Sequence, residues 1–232
     1  MLRKVLLSSV LILASGSSFA ADLPSRVAPA PYGVAPLFTW TGFYVGAQVG
    51  YGWGNAPSPY GVPSTATTYT LAQNASKQKG AFGGVHVGYN QQFGSFVLGV
   101  EADANIDGVK GNDSGSGGHV NGVNHDWNAS VRARAGITPI DRVLLYVTGG
   151  VAFLDGKATK EAFAPFESVN ATWTGWTAGV GAEYALTNNI TARLEYRYTD
   201  YGHSVARFPV NGYAERISPR VNAVLAGISY KF

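Results

Sequence analysis

From Thr41 to Phe232 the chain alternates apolar and polar positions. Between residues 43 and 53 the odd positions are Phe43, Val45, Ala47, Val49, Tyr51 and Trp53, and the even ones Tyr44, Gly46, Gln48, Gly50 and Gly52. A period of two with one apolar face predicts a strand, and no 3.6-residue helical period competes with it. Seven more segments read the same way: about 81–90, 96–106, 127–137, 143–153, 176–184, 190–200, and the last residues through Phe232. The segment at 127–137 sets Trp127, Ala129, Val131, Ala133, Ala135 and Ile137 against Asn128, Ser130, Arg132, Arg134 and Gly136. The one at 143–153 is the least regular, because Leu144 and Tyr146 dilute its second face.

Apart from Asp200 at the end of its segment, every Asp, Glu, Lys and Arg within these segments falls on the face opposite the apolar one. A soluble sandwich would show a similar alternation. Two features favour a membrane instead. Aromatics cap the apolar face at both ends, with Tyr51, Trp53, Trp127, Trp176 and Tyr198 at one and Phe43, Tyr89, Phe96, Tyr184 and Phe232 at the other. That is the arrangement of interfacial girdles. Short turns also centre near Phe93, Ile140 and Asn188, alternating with long polar connections at 54–79, 107–124, 154–172 and 202–217. Short turns on one side and long loops on the other are the rule for outer-membrane barrels, and strands of about 9–11 residues suffice to cross. The expected fold is an all-β, eight-stranded antiparallel up-and-down transmembrane barrel, with short periplasmic turns and long extracellular loops.

Composition narrows the class. Charged residues are 13% of the 232, glycine contributes 30 and cysteine none. Mean hydropathy is only +0.02, far too low for a bundle of membrane helices. The lack of cysteine excludes a disulfide scaffold, a thiolate zinc site and thiol chemistry.

The N-terminus reads as an address. Arg3 and Lys4 precede an apolar run from Val5 to Ala14, and Ser18-Phe19-Ala20 places small residues where a signal peptidase cuts. Residues 1–20 are the expected signal peptide, 21–39 a Pro-rich periplasmic segment and 40–232 the barrel. Removing Arg3 and Lys4 leaves 15 Lys plus Arg against 14 Asp plus Glu, so no basic excess points to nucleic acid.

The polar faces define a candidate interior network. It comprises His86, Glu101, Asp103, Arg132, Arg134, Glu183, Arg193, Glu195, Arg197 and Lys231. Antiparallel pairing about each turn places Glu183 opposite Arg193, His86 opposite Glu101, and Glu101 and Asp103 facing Arg132 and Arg134. Buried charges are tolerated only when paired, and an eight-stranded interior is just wide enough for side chains to fill. A plugged, structural lumen is therefore favoured over a diffusion pore.

Other constellations carry less. Asp103-x-Asn105-x-Asp107-Gly108 opens like a calcium loop, but Ser114 stands where a bidentate Glu is required. His119 and His125 share a loop and could hold a metal or haem, although solvated histidines are commoner there. His203-Ser204 has no matching acid for nucleophilic chemistry. No cofactor and no enzymatic activity are expected.

Trp40-Thr41-Gly42-Phe43-Tyr44-Val45-Gly46, followed by Gly50-Tyr51-Gly52-Trp53-Gly54, resembles the first strand of one family. It is the small outer-membrane β-barrel proteins of alphaproteobacteria, often called outer-membrane immunogenic or porin-family proteins. The Pro-rich lead-in after Ala21-Asp22-Leu23-Pro24, Leu194-Glu195-Tyr196-Arg197-Tyr198 and the terminal Tyr230-Lys231-Phe232 resemble it too. More broadly the chain is similar to the membrane domain of OmpA. The resemblance implies an outer-membrane surface protein supporting envelope integrity, in contact with outer-membrane lipid and lipopolysaccharide, with host or phage ligands reached through the loops. It also implies that Val224, Ala226, Ile228, Tyr230 and Phe232 form the C-terminal signal read by the barrel-assembly machinery. A small porin-like channel is the alternative function, and a membrane enzyme a distant third.

Overall fold

The computed structural model describes residues 38–57, 60–61, 75–111, 120–161, 167–208 and 213–232. The signal peptide and all but the end of the Pro-rich segment lie outside these residues, as do Ser114 and His119.

Eight long strands follow one another in antiparallel order. They are β1 (Gly42–Pro57), β2 (Ala75–Phe93), β3 (Phe96–Asp107), β4 (Val120–Ile140), β5 (Val143–Glu161), β6 (Glu167–Ala185), β7 (Ile190–Asp200) and β8 (Arg220–Lys231). Each pairs with its neighbours in sequence, and β1 pairs with both β2 and β8, so the sheet closes. Closure leaves the barrel no free edge. Following paired residues once around, from Trp53 through Asn222, Tyr198, Ala178, Gly149, Ala133, Val100 and Tyr89, returns to β1 at Phe43. The ladder is thus displaced by ten residues per circuit, and the strands tilt accordingly against the barrel axis.

One end of the barrel has tight turns. Phe93 pairs with Phe96 across Gly94 and Ser95, and Gly94 adopts φ +62° with open space around it. Only the backbone geometry selects glycine there, because a two-residue hairpin turn needs a positive φ. The pairing fixed by this turn corrects one expectation: His86 lies opposite Asp103, and Gly88 opposite Glu101. The hairpin centre falls between Gly94 and Ser95 rather than between Phe93 and Gly94, and a one-residue move of the centre shifts the pairing by two.

The other end is longer than the apolar pattern requires. Strands β2, β4, β5 and β6 run to 19, 21, 19 and 19 residues, well beyond the 9–11 expected. Much of the expected loop at 154–172 is therefore strand, and the connection at 202–217 holds a hairpin of Ser204–Phe208 with Tyr213–Ile217. Backbone pairing continues where side-chain alternation no longer separates lipid from lumen.

The burial pattern is inverted relative to a water-soluble domain. Val49, Val85, Val100, Val131, Leu194 and Ile228 are exposed on the outer wall, whereas His86, Glu101, Arg132, Arg134 and Glu195 are buried inside. An apolar outer wall of this extent has a stable surround only in hydrocarbon.

Candidate functional site

Alternation on eight strands directs one row of polar side chains per strand into the lumen, and the ten-residue stagger brings rows from distant strands to the same level. The result is a lumen filled in layers.

At its centre Arg132 of β4 reaches three carboxylates. It donates to Glu101 of β3 and, at 2.5 Å, to Glu195 of β7, while Asp103 of β3 lies 3.2 Å away. Arg193 donates to Glu101 at 2.5 Å and also to Gln48 of β1. Arg197 bridges Glu195 at 2.9 Å and Asp103 at 3.2 Å. Arg134 pairs with Glu183 and stacks 3.8 Å over the Tyr146 ring. Four guanidiniums thus meet four carboxylates, all buried. Planar forks make this possible, since each Arg presents donors in several directions.

Neutral groups complete the layer. Tyr44 donates to Glu101 at 2.8 Å and Tyr146 to Glu195 at 3.0 Å. Ser130 donates to Asp103 and Thr191 to Glu183 at 2.5 Å. His86 shares a 2.8 Å hydrogen bond with Ser229 of β8. The two tyrosines lie across glycines on the adjoining strands, Tyr44 over Gly88 and Tyr146 over Gly181. A Cβ at either glycine would fall within 2.5 Å of the phenol ring or hydroxyl. Glycine there makes room for the phenols.

An apolar cluster lies at each end of this charged layer. At the tight-turn end Trp40, 1% exposed, enters the mouth from just before β1 and packs with Val97, Leu144, Tyr146 and Ala185, with Phe38 against it. Its indole N–H donates to the Asp141 carbonyl at 3.1 Å, and its backbone N–H to Gln92 at 2.8 Å. Lys231 stands at this rim and donates to the Thr41 carbonyl at 3.1 Å. At the opposite end Leu154, Trp173, Tyr201, Ile217 and Val221 form a second apolar cluster. Burial, then the nearby Asp107 charge, raises the Tyr201 phenol above its ordinary pKa. Between this second cluster and the charged layer lies a small space of about 20 Å³ beside Asp107, Asn128, Thr199 and Arg197. It is of the size of a single water.

The network residues read from the sequence therefore share one lumen, but their partners differ from simple cross-strand pairing. Glu101 and Arg132 are direct strand partners and do bond. Glu183 and Arg193 are also strand partners, yet Glu183 bonds Arg134 and Thr191 while Arg193 bonds Glu101 and Gln48. His86 bonds Ser229 rather than Glu101. Long side chains in a narrow tube meet across it as readily as along its wall. Sequence reading missed Trp40, Trp173, Tyr44, Tyr146 and Gln48 as parts of the lumen filling. Leu144 and Tyr146 left a trace, as the irregular second face of their strand.

The weaker motifs are absorbed locally. Asp103, Asn105 and Asp107 all contribute to lumen bonds, and Asp107 accepts from Asn128 at 2.9 Å and lies 3.1 Å from His125 Nδ1. Among the described residues no three His, Cys, Asp or Glu side chains converge as a metal site. His203 is exposed.

An inside-out, closed antiparallel barrel with a filled lumen defines a small transmembrane β-barrel of the outer-membrane type. Residues 15–232 match the family model for the outer membrane protein beta-barrel domain, and the chain belongs to that family. It is 35% identical to the 31 kDa outer-membrane immunogenic protein of Brucella melitensis biotype 1 over 100% of both chains. It is 38% identical to the 22 kDa outer membrane protein of Rhizobium leguminosarum bv. viciae, over 86% of this chain and 81% of that one. Among solved structures, the outer membrane protein OprG from Pseudomonas aeruginosa superposes with a TM-score of 0.55 at 12% identity, covering 83% of this chain and 96% of that one. The protein is an outer-membrane barrel, with its tight turns periplasmic and its long connections extracellular.

Proposed function

We propose that this barrel is a structural and surface protein of the outer membrane, supporting envelope integrity, and that its lumen is a closed, charge-paired plug. One observation carries the reading: four arginines and four carboxylates pair across the lumen between two apolar seals. A diffusion pathway would need solvent along the arginine rows, whereas here those rows are occupied by their counter-ions. Recognition of host or phage ligands then falls to the extracellular connections. The lipid-facing wall seats the protein in outer-membrane lipid and lipopolysaccharide. Val224, Ala226, Ile228, Tyr230 and Phe232 serve as the C-terminal signal for the barrel-assembly machinery. His203 and Ser204 lack a described acid partner, and no catalytic role is assigned.

Single-channel recording of the refolded protein in planar bilayers tests this. The expected result is a folded barrel with no steady conductance. Steady channels whose ion selectivity reverses in an Arg132→Glu, Arg134→Glu variant would overturn the reading and make those arginines a constriction.

A further inference from the structure

The outer wall carries its own charge pattern, separate from that of the lumen. Lys77 and Lys79 on β2 and Lys110 on the short strand after β3 are exposed, and their neighbours Gln78 and Val109 point inward. All three lysines therefore stand on the lipid-facing side of the barrel. Trp53 of the extracellular girdle is the strand partner of Lys79, and Lys79 is the strand partner of Lys110. Because the ladder climbs by ten residues per circuit, each step in this direction rises slightly toward the loops. The three ammonium-bearing residues thus begin roughly 3–8 Å beyond the tryptophan level. The headgroup layer of a bilayer occupies about the same span outside its hydrocarbon, roughly 5–8 Å.

Their surroundings leave most of this charge uncompensated, the nearest carboxylate being Asp126, two residues from the Lys110 strand partner Asn124. Among the described residues, the outward-facing carboxylates at this level are Asp126, which is exposed, and Asp155 and Asp200, which are half-buried. Asp126 sits at the β4 bulge, Asp155 accepts from Thr172 at 3.0 Å, and Asp200 is held by Arg220 at 3.0 Å. Asp126 and Asp155 lie on β4 and β5, the strands that also carry the exposed Lys157, so Lys157 is left out of the cluster. On β2 and its short partner strand no described acid intervenes.

We propose that Lys77, Lys79 and Lys110 form a binding site for the phosphate groups of an acylated, phosphorylated glycolipid of the outer leaflet. Its acyl chains lie on the apolar wall below, against Val85, Val87 and Val100. Geometry selects a lipid over a soluble anion, because the lysines continue the lipid-facing rows of β2 and β3 directly. Long lysine stems pack along such a wall while their ammonium groups reach the headgroup level. The inference rests on the proposed seating in lipopolysaccharide and is independent of whether the lumen conducts.

The test titrates the refolded barrel, in zwitterionic detergent, with three probes. They are bisphosphorylated lipid A, the same lipid with its phosphates removed, and inorganic pyrophosphate. Each lysine near a charged surface is worth about five-fold in affinity. Wild type should therefore bind the phosphorylated lipid at least ten-fold more tightly than the dephosphorylated one, and pyrophosphate only weakly. A Lys77→Gln, Lys79→Gln, Lys110→Gln variant should lose that preference, and Arg220→Gln, outside the cluster, should keep it. Heat-modifiable migration confirms that each variant is folded. Equal binding of both lipids by wild type would overturn the phosphate site while sparing the lipid seating, and binding of neither would overturn both. Retention of the preference by the triple variant would place the phosphates elsewhere, and pyrophosphate binding as tight as lipid A would replace the lipid with a free anion.

Discussion

The ion layer of this protein draws its cations from arginine alone. The four bases that face carboxylates deep in the lumen, at 132, 134, 193 and 197, are all arginine, while Lys77, Lys79, Lys110 and Lys157 are exposed on the outer wall. A guanidinium remains charged when buried and satisfies several acceptors at once, whereas an ammonium is strongly hydrated and favours a wet surface. Arg132 shows the consequence most sharply, since its removal leaves the buried carboxylates Glu101, Asp103 and Glu195 short of a partner. Arg132→Met should cost about 3–5 kcal/mol, read as a lower urea midpoint for the barrel in bilayers or detergent. Arg132→Lys should recover less than half of the loss, because one ammonium cannot bridge three carboxylates. A midpoint unchanged in both variants would mean that water, rather than the guanidinium, satisfies the carboxylates.

At the scale of the strand, register is what the sequence protects. A one-residue slip exchanges the two faces, placing Arg132 and Arg134 in lipid and Val131 in the lumen. Most strand existence, orientation and lipid-facing positions were legible because alternation is a local property, with Val131 and Leu194 on the apolar face and Arg132 and Glu195 on the polar one. Strand ends were not legible, since beyond the membrane both faces meet water and the period of two loses its contrast. Asn121 to Lys160 illustrate this: they are paired along β4 and β5 where the sequence reads as loop. Arginine at a lipid-facing midplane position costs roughly 2–4 kcal/mol. Val131→Arg and Leu194→Arg should each therefore block folding into bilayers and abolish heat-modifiable migration, and normal migration would reassign those residues away from lipid.

For the molecule as a whole, the proposed plug closes the lumen in series: the apolar cluster around Trp40, the ion layer, then the apolar cluster around Trp173 and Tyr201. Closures in series make a specific forecast. Trp40→Ala opens one mouth and removes a large buried side chain, at about 3–5 kcal/mol, yet the ion layer beneath remains intact. The variant should show reduced thermal stability and still no steady conductance in planar bilayers. A variant that conducts would identify Trp40 as the principal barrier and reduce the ion layer to a lining.

The amino-acid sequence alone determined the number of barrel-crossing strands, which face of each meets lipid, and most of the charges that point inward, Asp107 being missed. Each follows from alternation and from the cost of placing charge in hydrocarbon, both readable residue by residue. The tertiary structure decided who pairs with whom. Glu183 with Arg134, Arg193 with Glu101 and His86 with Ser229 depend on the tilt and stagger of a closed barrel, which bring side chains from separate strands to one level across a narrow tube. Trp40 as a seal likewise depends on where the chain enters the barrel mouth, and no local pattern records that position.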